Sequence, residues 1–224
     1  GVRRMTMQDR YIIVVKTMLG QGMPMTLKLI GACLLFSLLI GIVFGTIRSL
    51  KIPVIDQILG LYAVVCRGIP TIIVLLFFYA TLVRGTQFWI SVLSISLVEG
   101  AYMMEIVKGG FLSVDKGQWE AAKALNLPLI HTIVYIVLPQ VMLVTIPALI
   151  GQIVMLVKGT SVAATIGCMD VLRRAQLLLP KYSYPLEIYA YILVIFFIMC
   201  HFLTWLGKRL ERTVVKRIMG DKYV

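Results

Sequence analysis

Residues 29–47 read LIGACLLFSLLIGIVFGTI, and residues 188–207 read IYAYILVIFFIMCHFLTWLG. Neither run contains a charged residue. A helix crosses the ~30 Å hydrocarbon core of a bilayer with about 20 apolar residues, at ~1.5 Å per residue. Each run is long enough to span, and the fold class follows: all-α, a polytopic helical membrane protein. Composition agrees. Of 224 residues, 60% are hydrophobic and 14% charged, against about 45–50% apolar and about 25% charged in soluble domains. That balance excludes a secreted enzyme, a cytosolic nucleotide-binding domain and a DNA-binding module.

Outward from these two runs, three more spans can be drawn, with the first extending over Met25–Ile47. After the basic turn Arg48-Ser-Leu-Lys51, a second run covers Pro53–Val83 and is interrupted by Arg67-Gly68-Ile69-Pro70. Proline disfavours a helical residue before it, so the second span is expected to break there. A third span covers Phe88–Lys108 with Glu99 and Glu105 inside it, and a fourth covers about Thr132–Val157. Lys158–Glu187 is too polar to span as a plain helix and is expected to form a loop or short partial helices.

Residues 1–21 form an N-terminal segment in which Tyr11–Leu19 reads as a short interfacial helix with Lys16 on its wet face. The polar start, GVRRMTMQDR, reads as no signal peptide. Residues 22–207 form the transmembrane domain, and 208–224 a basic tail containing Lys208, Arg209, Arg212, Lys216, Arg217 and Lys222. The net charge of +12 is of the kind that gathers at membrane-helix ends beside anionic headgroups, so the lipid bilayer rather than nucleic acid is the expected partner. Basic residues divide almost evenly between the two sides. The dense tail favours a cytoplasmic C-terminus and hence, with five spans, an external N-terminus.

Between the third and fourth spans lies Asp115-Lys-Gly-Gln-Trp-Glu-Ala-Ala-Lys-Ala-Leu-Asn-Leu-Pro128. Glu120–Leu125 holds strong helix formers, and Asp115 suits an N-terminal cap. Asn126 tolerates the left-handed conformation that ends a helix, and Pro128 follows. This is a short self-terminating amphipathic helix: an idle interfacial helix, or a rigid lever that docks a partner.

Glu120-Ala121-Ala122, then position 126, then Ile136-x-Leu138-Pro139 resemble the EAA-loop signature of ABC importer permeases, over about residues 115–140. Asn126 stands where that family usually carries Gly. Further blocks are similar to polar amino acid permeases: Ala101-Tyr102-Met-Met-Glu105-Ile-Val-Lys108-Gly109-Gly110, Gly117-Gln118-Trp119-Glu120, Arg67-Gly68-Ile69-Pro70, Lys158-Gly159-Thr160-Ser161 and Leu172-Arg173-Arg174-Ala175-Gln176. They lie in order over nearly the whole chain. The resemblance implies a five-helix permease core with a cytoplasmic coupling helix in a prokaryotic cell (inner) membrane. It implies a second permease subunit, identical or homologous, two cytoplasmic ATPase subunits and an extracytoplasmic amino acid-binding protein. Glu120, Ala121, Ala122 and Asn126 would then couple to the ATPases, which would carry ATP and Mg. The chain itself has no G-x-x-x-x-G-K-[ST] loop, and no cofactor is expected on it.

Ionisable groups inside spans mark candidate binding positions. A zwitterionic amino acid needs an anionic or dipolar partner for its ammonium and a cation or helix N-terminus for its carboxylate. Glu99, near Tyr102, fits the first role and Arg67 the second. Their blander roles are a protonated or chain-bonded Glu99, and an Arg67 that snorkels or braces the helix break. Gln152, Thr160 and Ser161 at the end of the fourth span offer polar atoms of the kind broken helices present to ligands, or simply a helix cap. Glu105 is expected in a structural ion pair or gate. The family often has an acid at position 152 and Asp at 159, so Gln152 and Gly159 count against a cationic substrate. His131 and His201 stand alone, and no metal is assigned. A stand-alone secondary transporter and an intramembrane enzyme are the rival classes. The first would need a coupling-ion site, and the second a convergent catalytic set.

Overall fold

The structure, a computed structural model, describes residues 7–82, 84–182 and 185–220. The expected end of the second run at Val83 lies outside these residues. So do the first six residues of the N-terminal segment and the end of the tail, including Lys222. The described residues are helical with short connections and contain no strand.

Helix α1, Met7–Thr17, passes through a π turn, Met18–Gly22, into α2, Met23–Ser49. Tyr11–Ser49 is therefore one continuous helix, into which the expected short helix Tyr11–Leu19 runs on. Helix α2 stops where Lys51 takes a left-handed φ of 53°. Helix α3, Pro53–Gly68, starts with proline in its first turn, where the missing N–H costs nothing. Ile69 is extended at φ −107°, ψ 132°, as a residue before proline prefers, and α4 follows at Thr71–Thr81. The second span is thus broken at the expected place.

Helix α5 is Gln87–Leu112, α6 is Lys116–Ala124 and α7 is Leu129–Thr132. A π turn, Ile133–Val137, leads into α8, Leu138–Gly159, whose end tightens into a 3-10 segment, Thr160–Ile166. Helix α9, Val171–Tyr182, lies in the stretch expected to be loop or partial helix, and α10, Pro185–Met219, continues the fifth span into the tail without a break. Among the described residues four helices are long and apolar enough to cross a membrane, and the broken pair α3–α4 makes a fifth.

The chain divides into two compact units. The first takes the described residues up to Leu34, Pro70–Ile95 and Leu156–His201. Its core sets Val14 and Met18 against Val171, Ala175 and Leu178 of α9 and Ile188 of α10. Gly22 approaches α9 closely: a Cβ there would lie 2.8 Å from the Val171 Cα. The Val171 N–H donates to Thr26 Oγ1 at 3.0 Å, and Asp170 caps α9 by accepting from the Arg173 N–H at 2.7 Å. Burial pushes the Asp170 carboxyl up to about 6, partly offset by the backbone N–H groups that it accepts.

The second unit takes Leu35–Ile69, Ser96–Met155 and Phe202 onward. Its α2 and α5 meet through small residues, as membrane helices do when backbones approach closely. Gly41 faces Met103, Gly45 faces Met104 and Val107, and Gly100 faces Ile40. Val114, Val137 and Val141 form a further cluster, with Phe111 and Trp119 packed on it.

Candidate functional site

Helix α6 is built by its own sequence. Asp115 Oδ1 accepts from the Gly117 N–H at 2.6 Å, satisfying an otherwise orphaned donor. At the other end Asn126 is left-handed, with φ 50°. There the Asn126 N–H donates to the Lys123 carbonyl and the Leu127 N–H to the Ala122 carbonyl, each at 3.0 Å. That bond pair is the Schellman closure, so Asn126 does here what a glycine would do. The helix runs from Lys116, four residues earlier than its strongest helix formers indicate, because the cap sits at Asp115. Ala122 is buried and Trp119 anchors on the valine cluster. Glu120 and Ala121 are exposed, as are Leu125, Leu129 and Ile130. A short rigid helix thus sits on the second unit with an apolar face open.

A network of four charges ties α2, α3 and α5 together in the same unit. Arg48, buried at 7% exposure, donates from Nε to Asp56 Oδ1 at 2.9 Å and from Nη1 to Glu105 Oε1. Lys108 Nζ reaches Asp56 Oδ1 at 3.4 Å. A buried guanidinium is tolerable only when paired and hydrogen-bonded, and two carboxylates on one fork meet that need. Beside the network opens a cavity of about 570 Å³ lined by Arg48, Arg67, Tyr102 and Glu105 among others. The Arg67 guanidinium lies over the Tyr102 ring, 5.2 Å from its centroid, and the Tyr102 hydroxyl donates to the Arg67 carbonyl at 3.4 Å.

The structure therefore gathers Arg67, Tyr102 and Glu105 at one cavity. Glu99 is not among its lining residues. It is buried, and Gln152 Nε2 donates to its Oε2 at 2.6 Å, so these two candidates are paired with each other. Thr160 and Ser161 belong to the first unit. Their hydroxyls donate to the carbonyls of Val157 and Lys158, both at 2.8 Å, and cap the end of α8. Sequence reasoning missed Arg48, Asp56 and Lys108 as site residues. Arg48 read as part of a basic turn. The available signal was Asp56, the one acid of α3, in its first turn and a few residues after that basic turn.

Residues 37–216 match the family described as binding-protein-dependent transport system inner membrane component. An arginine transport system permease protein of Bacillus subtilis (strain 168) is 32% identical over 200 residues, covering 86% of this chain and 90% of that protein. A probable glutamine ABC transporter permease protein of the same organism is 28% identical, covering 86% and 92%. Among solved structures, an amino acid ABC transporter described as crystallised with histidines superimposes with a TM-score of 0.79 at 27% identity, over 93% of this chain and all of that one. With the family match spanning most of the chain and the helices falling in the same fold, this protein belongs to the binding-protein-dependent transport system inner membrane components, the permease subunits of ABC importers.

Proposed function

We propose that the chain is the membrane permease subunit of an ATP-driven importer for polar amino acids. It forms half of a translocation pathway with a second permease subunit, identical or homologous. Two cytoplasmic ATPases carrying ATP and Mg, and an extracytoplasmic amino acid-binding protein, complete the assembly. The C-terminus and α6 face the cytoplasm and the N-terminus lies outside.

The observation that carries this reading is α6 itself. Both of its ends are closed by its own residues, Trp119 fixes it to the valine cluster, and Ala121 and Leu125 remain uncovered. A rigid helix with an open apolar face transmits a push better than a flexible linker can. Closure of the ATPases displaces α6, and the displacement passes into α5, which ends three residues before it, and into the Arg48 network that braces α5 against α2 and α3. Arg67 and Tyr102 contact the substrate. Glu99 and Gln152 hold α5 to α8. The permeases of arginine and glutamine transport among the relatives support polar amino acids as the cargo class.

The test is purification of the tagged chain in mild detergent with identification of what accompanies it. A stoichiometric ATPase subunit is the expected result. In that complex Ala121→Asp is expected to leave ATP hydrolysis running while uptake falls. Normal uptake in a well-assembled variant refutes the coupling role.

A further inference from the structure

We infer that the cavity lined by Arg48, Arg67, Tyr102 and Glu105 selects substrates by net charge, accepting acidic amino acids in preference to cationic ones, with Arg67 as the residue that sets the choice. This rests on the importer reading and names its substrate class.

The argument is a charge balance. Arg48 and Lys108 bring two positive charges and Asp56 and Glu105 bring two negative ones, and the three ion pairs among them cancel. Arg67 is left over. Among the described residues no carboxylate lies within ion-pair distance of it, and its neighbour is the Tyr102 ring at 5.2 Å. A ring quadrupole holds and orients a guanidinium but leaves its charge in place. An unneutralised cation in a membrane-spanning helix is a standing demand for an anion. The planar fork of Arg67 presents two parallel donors that match a carboxylate.

Three ligand charges give three outcomes. A zwitterionic amino acid places its carboxylate on Arg67 and adds no net charge, and the cavity keeps one excess positive charge. An acidic amino acid brings a second carboxylate and neutralises it. A cationic amino acid raises the excess to two and finds no free acid. Asp56 and Glu105 are committed to Arg48 and Lys108, and Glu99 is held by Gln152 away from the lining. Space does not limit the choice, because about 570 Å³ holds any amino acid and the lining includes the small residues Gly60, Ala63 and Gly68.

The experiment is equilibrium binding of radiolabelled L-glutamate, L-glutamine and L-arginine to the purified complex in lipid nanodiscs, without the solute-binding protein, whose own selectivity would mask the cavity's. L-glutamate is expected to bind tightest and L-arginine weakest, separated by roughly tenfold or more, as the difference of one charge-assisted hydrogen bond implies. Arg67→Gln removes the preference, Arg67→Lys keeps its sign at lower affinity, and Arg67→Glu turns the order toward L-arginine. Equal or tighter binding of L-arginine by the unsubstituted complex overturns the inference. So does an unchanged order in Arg67→Gln, or no binding of any of the three to a complex that still couples hydrolysis to uptake. If Arg67→Gln fails to assemble, the unsubstituted ranking and Arg67→Lys still decide. Co-purification of the ATPase is scored separately. A complex that couples ATP hydrolysis but prefers L-arginine keeps the importer reading and sinks the charge rule. If the chain purifies alone, the importer reading fails and the binding order on the chain alone still decides the charge rule.

Discussion

Two glycines on one helix should respond to the same substitution with opposite signs. A Cβ on Gly45 would lie 2.7 Å from the Met104 carbonyl oxygen and 2.7 Å from the Val107 Cβ. Ordinary van der Waals separation begins near 3.4 Å, so α2 and α5 must part by about 0.7 Å, and one of the atoms met is backbone that cannot swing aside. A Cβ on Gly31 would meet nothing within 4 Å. Glycine to alanine in a helix interior gains about 0.8–1.0 kcal/mol of propensity, while overpacking a tight interface costs about 1–3 kcal/mol. Gly31→Ala is therefore expected to stabilise by about 0.5–1 kcal/mol. Gly45→Ala is expected to destabilise by up to about 2 kcal/mol, and Gly45→Val by more. For a chain of this size about 1 kcal/mol moves Tm by roughly 2–4 °C. Melting can be followed in detergent by labelling of Cys33, which is fully buried in the folded chain. Glu105 follows Met104 directly, so the wider gap should also loosen the Arg48–Glu105 pair and reduce coupled uptake. A Gly45→Ala protein that melts at or above the unsubstituted temperature would refute the close-packing argument.

Asn126→Val places a β-branched residue at a φ of 50° and should cost about 1–2 kcal/mol. Asn126→Gly should be neutral, and the ratio of uptake to ATP hydrolysis in the two variants separates a strained coupling helix from an intact one. Glu105→Gln removes one of the two carboxylates on the buried Arg48 fork and is expected to cost about 1–3 kcal/mol. Glu105→Asp should recover little, because the shorter side chain falls short of Arg48, and thermal melting of both variants checks this. Asp170 carries a raised folded value of about 6 against 3.8. The folded state then holds the proton more tightly than the unfolded one, so this stabilisation is present below about 3.8 and lost as pH rises through about 6. Asp170→Asn keeps the cap without the proton. The melting-temperature difference between the unsubstituted protein and this variant should fall across that window, and a flat difference would refute the assignment.

Much of the fold is legible in the chain because the bilayer imposes strong rules on short stretches of it. Expected and observed span ends differ by a few residues at α2 and α5, and the second span breaks at Ile69-Pro70 as the local chemistry of proline requires. The caps of α6 are also legible, since Asp115 and Asn126 act on backbone groups only two to four residues away. The site is less so. Arg67 meets Tyr102 across 35 residues, whereas Glu99, expected to share a ligand with Arg67, takes Gln152 as its partner, 53 residues away. Arg48 meets Glu105 across 57 residues, a pairing no local pattern announces. The glycine spacing Gly41-x-x-x-Gly45 is visible as a stretch rich in glycine, yet which helix it faces is not.

Sequence alone determined that the chain is a polytopic helical membrane protein, that its second span breaks at Ile69-Pro70, and that a self-capped helix stands between two spans. These are properties of hydrophobic length and local hydrogen bonding, and each is satisfied within a few turns of chain. The tertiary structure decided which ionisable groups pair with one another, and it set Arg67 over the Tyr102 ring with no carboxylate at ion-pair distance among the described residues. It also joined Tyr11–Leu19 to the first span and packed Val14 and Met18 against α9. The physical reason is the same throughout: a charge or a glycine acquires its role from what lies across the helix interface, and that neighbour comes from a distant part of the chain.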